Sequence, residues 1–294
     1  MAVTPGLLRR WPLPQPGGSA DKEDRGVALV IGGASEVPGA LLLSGLAALR
    51  VGAGKLQLVA PHSSATQLGV SVPEARVFAL QESKEGFLDR KSARTVRDCA
   101  RHADAILIGP GLLNEDATRD FVDEALSGIV DKPLVIDALA IAALQGGRHR
   151  FTESAGVVIT PNQSEMAMLT GEKPKKIASD PLAVAASVAR DLNVIVALKG
   201  PETLIATPDG EAFRYADGGV GLATSGSGDV LAGAVVGLLA RGSEPDQAAV
   251  WATYLHGAAG NRLARRMGPL GFLARELSSE LPALMNGLAA KRRR

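Results

Sequence analysis

The chain has 294 residues, a formal net charge of +1, and 46% hydrophobic against 21% charged residues. This is ordinary globular composition, long enough to bury roughly three quarters of the unfolded surface without disulfide or metal staples. Near-zero net charge and only 3% aromatic residues argue against an anionic polymer or a stacked single strand as partner, so no nucleic acid is expected. One cysteine, Cys99, permits no internal disulfide, and no run approaches the roughly 18 apolar residues of a membrane span; a cytoplasmic protein with no membrane partner is expected.

Residues 1–25 are rich in proline, glycine and charge and read as an N-terminal arm outside the core. Arg9-Arg10 is followed by Trp11-Pro-Leu-Pro14, so no apolar signal core follows the arginine pair. Residues 26–294 read as a single catalytic domain. Strands are predicted at Val27–Ile31, Lys55–Val59, Ala105–Ile108, Leu134–Ile136, Gly156–Ile159 and Val194–Leu198, each a short apolar run bounded by Gly, Pro or Asp. Helical patterns at Gly39–Arg50, Asp116–Leu126 and Pro181–Asp191 alternate with them, which predicts an α/β fold with a mainly parallel central sheet covered on both faces. Thr203–Ala206 and Phe213–Tyr215 flank Pro208-Asp-Gly210 and read as an antiparallel hairpin. Beyond it the pattern is helical, at Asp229–Arg241, Asp246–Met267 and Ala274–Ala289, and Lys291-Arg-Arg-Arg294 reads as a solvated terminus.

Open parallel sheets bind ligands beyond the carboxyl ends of their strands, so the loops there are the informative places. Gly221-Leu-Ala-Thr-Ser-Gly-Ser-Gly-Asp229 runs directly into an apolar helix. Glycines let the backbone approach a ligand, and a helix start offers free N–H groups and partial positive charge, which together suit phosphate. Asp229 reads either as a helix N-cap or as a base taking a proton from a hydroxyl that attacks a terminal phosphate; Gly226 and Gly228 before it favour the second. Lys199-Gly-Pro-Glu-Thr203 ends a buried strand and could hold nucleotide phosphate or ribose, or be a plain turn with a solvated lysine. Gly109-Pro-Gly111 offers a bend free of side chains. Ile31-Gly-Gly-Ala-Ser35 lacks dinucleotide-fingerprint spacing, and Gly54-Lys55 lacks the Ser or Thr of a P-loop. In Thr160-Pro-Asn-Gln-Ser-Glu165, Glu165 could approach magnesium through water or simply complement a helix dipole. The histidines His62, His102, His149 and His256 show no metal-ligand spacing, and His256 reads as packing or surface.

Taken together, Ile31-Gly-Gly-Ala-Ser35 with Pro38-Gly-Ala40, Arg50-Val-Gly-Ala-Gly54, Gly109-Pro-Gly111, Lys199-Gly-Pro-Glu-Thr203, Gly226-Ser-Gly-Asp229, Leu7–Pro14 and Tyr254-Leu-His-Gly257 resemble, in order, the ADP-dependent (S)-NAD(P)H-hydrate dehydratases. The resemblance implies a three-layer α/β/α ribokinase-like fold. It also implies repair of the S epimer of NADHX or NADPHX: ADP (or ATP) phosphorylates the hydrate, phosphate leaves, and AMP and the reduced cofactor are released with Mg2+ present. It implies Ala40, Gly111, Asn162 and Asp229 at the hydrate, with Asp229 as general base. Lys199, Gly200, Pro201, Glu202, Thr203, Gly226, Ser227 and Gly228 would hold the nucleotide, and the chain would form a homo-oligomer such as a tetramer. Two positions depart from the family pattern: Asn162 stands where a histidine is usual, and Leu139 where a second aspartate is usual. Alternatives are a ribokinase-like kinase acting on a hydroxymethyl or sugar hydroxyl, and a nucleotide-binding paralogue without catalysis.

Overall fold

The computed structural model describes residues 1–17, 21–127, 129, 131–147, 149, 151 and 155–289; the basic stretch Lys291–Arg294 lies outside them. Its strands are β1 (Val27–Ile31), β2 (Lys55–Pro61), β3 (Ala75–Leu80), β4 (Ala105–Ile108), β5 (Leu134–Ile136), β6 (Val157–Ile159), β7 (Ile195–Leu198), β8 (Thr203–Ala206) and β9 (Ala212–Tyr215). Its α-helices are α1 (Pro5–Arg10), α2 (Gly39–Arg50), α3 (His62–Ser71), α4 (Ala93–Ala100), α5 (Glu115–Leu126), α6 (Gln163–Thr170), α7 (Pro174–Ser179), α8 (Pro181–Leu192), α9 (Ser227–Ala240), α10 (Pro245–Met267) and α11 (Ala274–Leu288).

The strands form one sheet in the order β3-β2-β1-β4-β5-β6-β7-β8-β9. Pairing is parallel from β3 through β7 and antiparallel through β7-β8-β9. Successive side chains on a strand face opposite ways. Here Val30, Leu107, Val135 and Val158 enter one core with α2, α9, α10 and α11. Their neighbours Ile31, Ile108, Ile136 and Ile159 enter a second core with α4, α5, α6 and α8. Burial on both faces is why these strands are continuous apolar runs. β3 breaks that rule. It lies at the sheet edge with Arg76 and Ala79 exposed; its short apolar run Val77–Leu80 follows Glu74 and Arg76 and is not read as a strand from the sequence.

The N-terminal segment is not outside the core. Val3, Leu8 and Leu13 are buried with the first cluster, Trp11 stacks on Phe213 with ring centres 6.0 Å apart, and the Trp251 indole on α10 donates to the Trp11 carbonyl at 2.8 Å. These apolar residues are scattered among prolines, so no periodicity reveals them.

Small residues seat α9 against α2. A Cβ at Gly233 would stand 2.2 Å from the Ser44 carbonyl oxygen, and one at Gly237 2.5 Å from that of Ala48. The glycines are one turn apart on α9 and face a Ser/Ala pair one turn apart on α2, so the two backbones touch. This contact fixes where the α9 N-terminus emerges beyond the sheet. No helix among the described residues is long and apolar enough to cross a membrane.

Candidate active site

The start of α9 is built by Gly226, which caps the helix in the left-handed conformation (φ 85°) with no side chain bonding the first turn. Asp229 is therefore the third helical residue and not the N-cap that its residue type also allowed. The N–H groups of Gly228 and Asp229 have no carbonyl within the helix to bond, and they sit at its positive end.

Lys199 leaves the carboxyl end of β7 and reaches beside this helix start; a Cβ at Gly228 would lie 3.2 Å from its Nζ. Nζ donates to Asp137 Oδ1 at 2.9 Å and lies 3.7 Å from Glu165 Oε2. Asp137, at the end of β5, also accepts from Thr160 Oγ1 at 2.6 Å. The ends of β5, β6 and β7 thus converge on one ammonium. Burial opposes charge on Lys199, yet the carboxylates of Asp137, Glu165 and Asp229 overcome it and raise its pKa. Burial, with Asp137 and Glu165 nearby, lifts Asp229 to about 7 despite the opposing pull of Lys199. Glu165 is raised for the same first reason. Three acids facing one lysine leave the pocket acidic.

These groups line a cavity of about 850 Å³, ample for a nucleotide. Asn162, Glu165, Lys199, Gly200, Pro201 and Thr203 form one wall, and Gly226, Ser227, Gly228 and Asp229 form another. Gly218, Val220 and Leu222 from the loop before α9, with Thr253, His256 and Gly257 of α10, close the remainder. Gly257 must lack a side chain, since a Cβ there would meet the Tyr215 ring at 2.0 Å.

The described residues contain no group of three or more His, Cys, Asp or Glu able to hold a metal ion. Glu165 Oε2 is already engaged, accepting from the Asn162 N–H at 2.7 Å. Any magnesium here must bring most of its oxygen ligands as phosphate and water, which is how that ion usually binds. The acid-rich wall fits such a guest.

The model of the family described as NAD(P)H-hydrate dehydratase matches residues 28–283. The chain belongs to this family. It is 41% identical over 287 residues to the ADP-dependent (S)-NAD(P)H-hydrate dehydratase of Xanthomonas campestris, covering 97% of this chain and 96% of that one. Among solved structures it is similar to the ADP/ATP-dependent NAD(P)H-hydrate dehydratase of Bacillus subtilis co-crystallised with ATP and Mg2+, with 30% identity, a TM-score of 0.84 and 97% of each chain covered. A ribokinase-like superfamily protein of Enterococcus faecalis, 27% identical, superposes with a TM-score of 0.85 over 98% of this chain and 96% of that one. The three-layer ribokinase-like architecture is thus established for this dehydratase-family chain.

Within this family member the site residues expected from sequence divide into groups. Those of the Lys199 loop line the cavity except Glu202, whose carboxylate pairs with Arg214. Ala40 and Gly111 do not line it. They meet each other instead: a Cβ on Gly111 would stand 3.0 Å from that of Ala40, where the loops after β1 and β4 close together at the switch in strand order. Their patch adjoins the α9 start, because Leu43, one turn along α2 from Ala40, packs at Gly226. Asn162 caps α6, its Oδ1 accepting from the N–H groups of Ser164 and Glu165 at 2.8 and 2.9 Å. Only its amide nitrogen is left to turn toward a ligand. Leu139 is half-buried in the turn after β5 and is not among the cavity's walls.

Among the polar residues lining the cavity, Asp137, His256 and Thr253 were given no role from the sequence. Asp137 offered a signal, an acid ending a buried strand, followed by Ala138 at positive φ (52°). His256 was expected to be packing or surface and instead enters the cavity, its Nε2 2.8 Å from Ser227 Oγ. Thr253 lies one turn before it. His256 lies in the Tyr254-Leu-His-Gly257 motif, but that motif does not say where the ring points; only the docking of α10 aims both residues.

Proposed function

We propose that this chain repairs damaged nicotinamide cofactors by ADP-dependent dehydration of the S epimer of NADHX or NADPHX, with release of AMP and phosphate. The observation that carries this reading is Asp229: a carboxyl lifted to about 7, at a helix start that no side chain caps, in a cavity shared with Lys199. A general base works best with a pKa near the working pH. Asp229 would take the proton of the substrate hydroxyl as that oxygen bonds the terminal phosphorus of ADP and the bond to AMP breaks. Phosphate then leaves the ring carbon, the adjacent ring carbon gives up a proton to water or to the departing phosphate, and the ring double bond returns. The α9 N–H groups and Lys199 would offset charge on the transferring phosphoryl group, since such reactions ask a protein mainly for positioning and charge stabilisation. Gly200, Pro201, Thr203, Gly226 and Ser227 would hold the nucleotide, with Glu202 contributing through its backbone. Ala40, Gly111 and the Asn162 amide would face the hydrate. Magnesium, approached by Glu165 through water, would supply charge neutralisation between the phosphates.

The relatives' names favour this reading over a stable-product kinase of the same fold. Purified protein given NADHX, ADP and Mg2+ should restore the absorbance of NADH. No recovery with ADP or ATP, or accumulation of a stable phosphorylated compound, overturns the reading. A homo-oligomeric state and a cytoplasmic location belong to the same proposal; light scattering and fractionation test them.

A further inference from the structure

Ser227 opens α9 inside the anion-binding loop and is almost wholly buried. Its Oγ lies 2.8 Å from Nε2 of His256 on α10. One turn back on the same face of α10, Thr253 also lines the cavity, so this face of α10 borders the space a ligand would occupy.

Burial holds the His256 imidazole down to about 4, and Lys199 pushes the same way, so the ring is neutral at the usual working pH. A neutral imidazole has one N–H, so the Ser227–His256 bond can run in either direction. If Ser227 donates, its oxygen presents only lone pairs to the loop, and a phosphate oxygen, which accepts only, has nothing to bond. If Nε2 carries the proton, the imidazole donates to Oγ and the hydroxyl proton is free for the phosphate.

We propose that His256 is a positioning residue which, as the Nε2–H tautomer, donates to Ser227 Oγ and turns the Ser227 hydroxyl proton onto a phosphate oxygen of a bound nucleoside diphosphate. The inference rests on the reading of this cavity as a nucleotide site. It makes Ser227 a binding group selective for acceptor-only oxygens, and it assigns His256 no proton transfer.

The test uses ADP binding by calorimetry on the whole protein with no hydrate present, so turnover is not needed. Ser227→Ala and His256→Ala should each weaken ADP by roughly tenfold, as expected for a hydrogen bond to a charged group. The double variant should be little weaker than either single, because the two act as one unit. His256→Gln should recover most of the loss, since its amide nitrogen can donate. In long-range 1H–15N spectra of the ADP complex, the histidine signal absent from His256→Gln should have the Nε2–H pattern. An Nδ1–H pattern, additive losses, or wild-type affinity in His256→Ala overturns the inference while leaving the nucleotide site intact. Failure of the wild type to bind either ADP or ATP overturns both. If His256→Ala does not fold, Ser227→Ala, His256→Gln and the tautomer decide.

Discussion

Replacing Asp229 by Asn should cost activity and add stability, and the two effects can be read separately. The asparagine keeps the shape but can neither take a proton nor be charged. Lifting a carboxyl from 3.8 to about 7 corresponds to at most roughly 4 kcal/mol of penalty for holding the charged form in the fold. The sign follows from the raised value. Below pH 4 the carboxyl is protonated folded or unfolded, and no penalty exists. Between pH 4 and 7 the unfolded chain releases its proton first, and folded stability falls. Above pH 7 the loss is complete. Asp229→Asn should therefore match the wild type in thermal melting near pH 4 and melt several degrees higher at pH 8. Its kcat for the hydrate should fall roughly 10²–10⁴-fold, the usual worth of a positioned base, while ADP binding is kept. Wild-type kcat should rise with pH through about 7, as Asp229 loses its proton. Activity within tenfold of wild type, or no melting gain at pH 8, refutes the assignment of Asp229 as a buried base.

Lys199→Met leaves Asp137 and Glu165 without their cation, so melting should drop in line with the roughly 3–5 kcal/mol typical of a broken buried pair, and calorimetry should find ADP binding lost. Asn162→Ala removes the α6 cap and should lower stability by about 1 kcal/mol in denaturant titration, with a higher KM for the hydrate and little change for ADP. Gly233→Ala places a Cβ 2.2 Å from the Ser44 carbonyl; pushing α9 off α2 should cost about 1–3 kcal/mol of stability and lower kcat by displacing the α9 start. Gly210→Ala, at a hairpin turn with φ 95° and open space around it, should cost only the strain of positive φ and leave activity unchanged, which controls for general destabilisation.

Much of the sheet was legible because β1, β4, β5, β6 and β7 are buried on both faces, so each had to be a continuous apolar run. Helices α5 and α8 kept a one-sided apolar period, whereas α9 is apolar all round because it is buried between the sheet and other helices. β3 escaped because an edge strand is wetted, and the N-terminal segment escaped because Val3, Leu8 and Leu13 have no period to betray them. Asp229 and Lys199 were found because each belongs to a recognisable local motif. Asp137 ends a buried strand and His256 sits in Tyr254-Leu-His-Gly257, but neither signal says what the side chain will face, so neither was given a role.

The sequence by itself determined that a glycine-rich loop precedes an apolar helix, and that an acid follows the loop in the first turn of that helix. Only the tertiary structure decided what surrounds that acid. Parallel strands bring their carboxyl ends to one edge of the sheet, so Asp137 at the end of β5, Glu165 on the helix that follows β6 and Lys199 at the end of β7 arrive together. The backbone contact of Gly233 and Gly237 with α2 sets Asp229 among them. A carboxyl's proton affinity depends on burial and on charges a few ångströms away, and those distances are made by packing between segments remote in the chain.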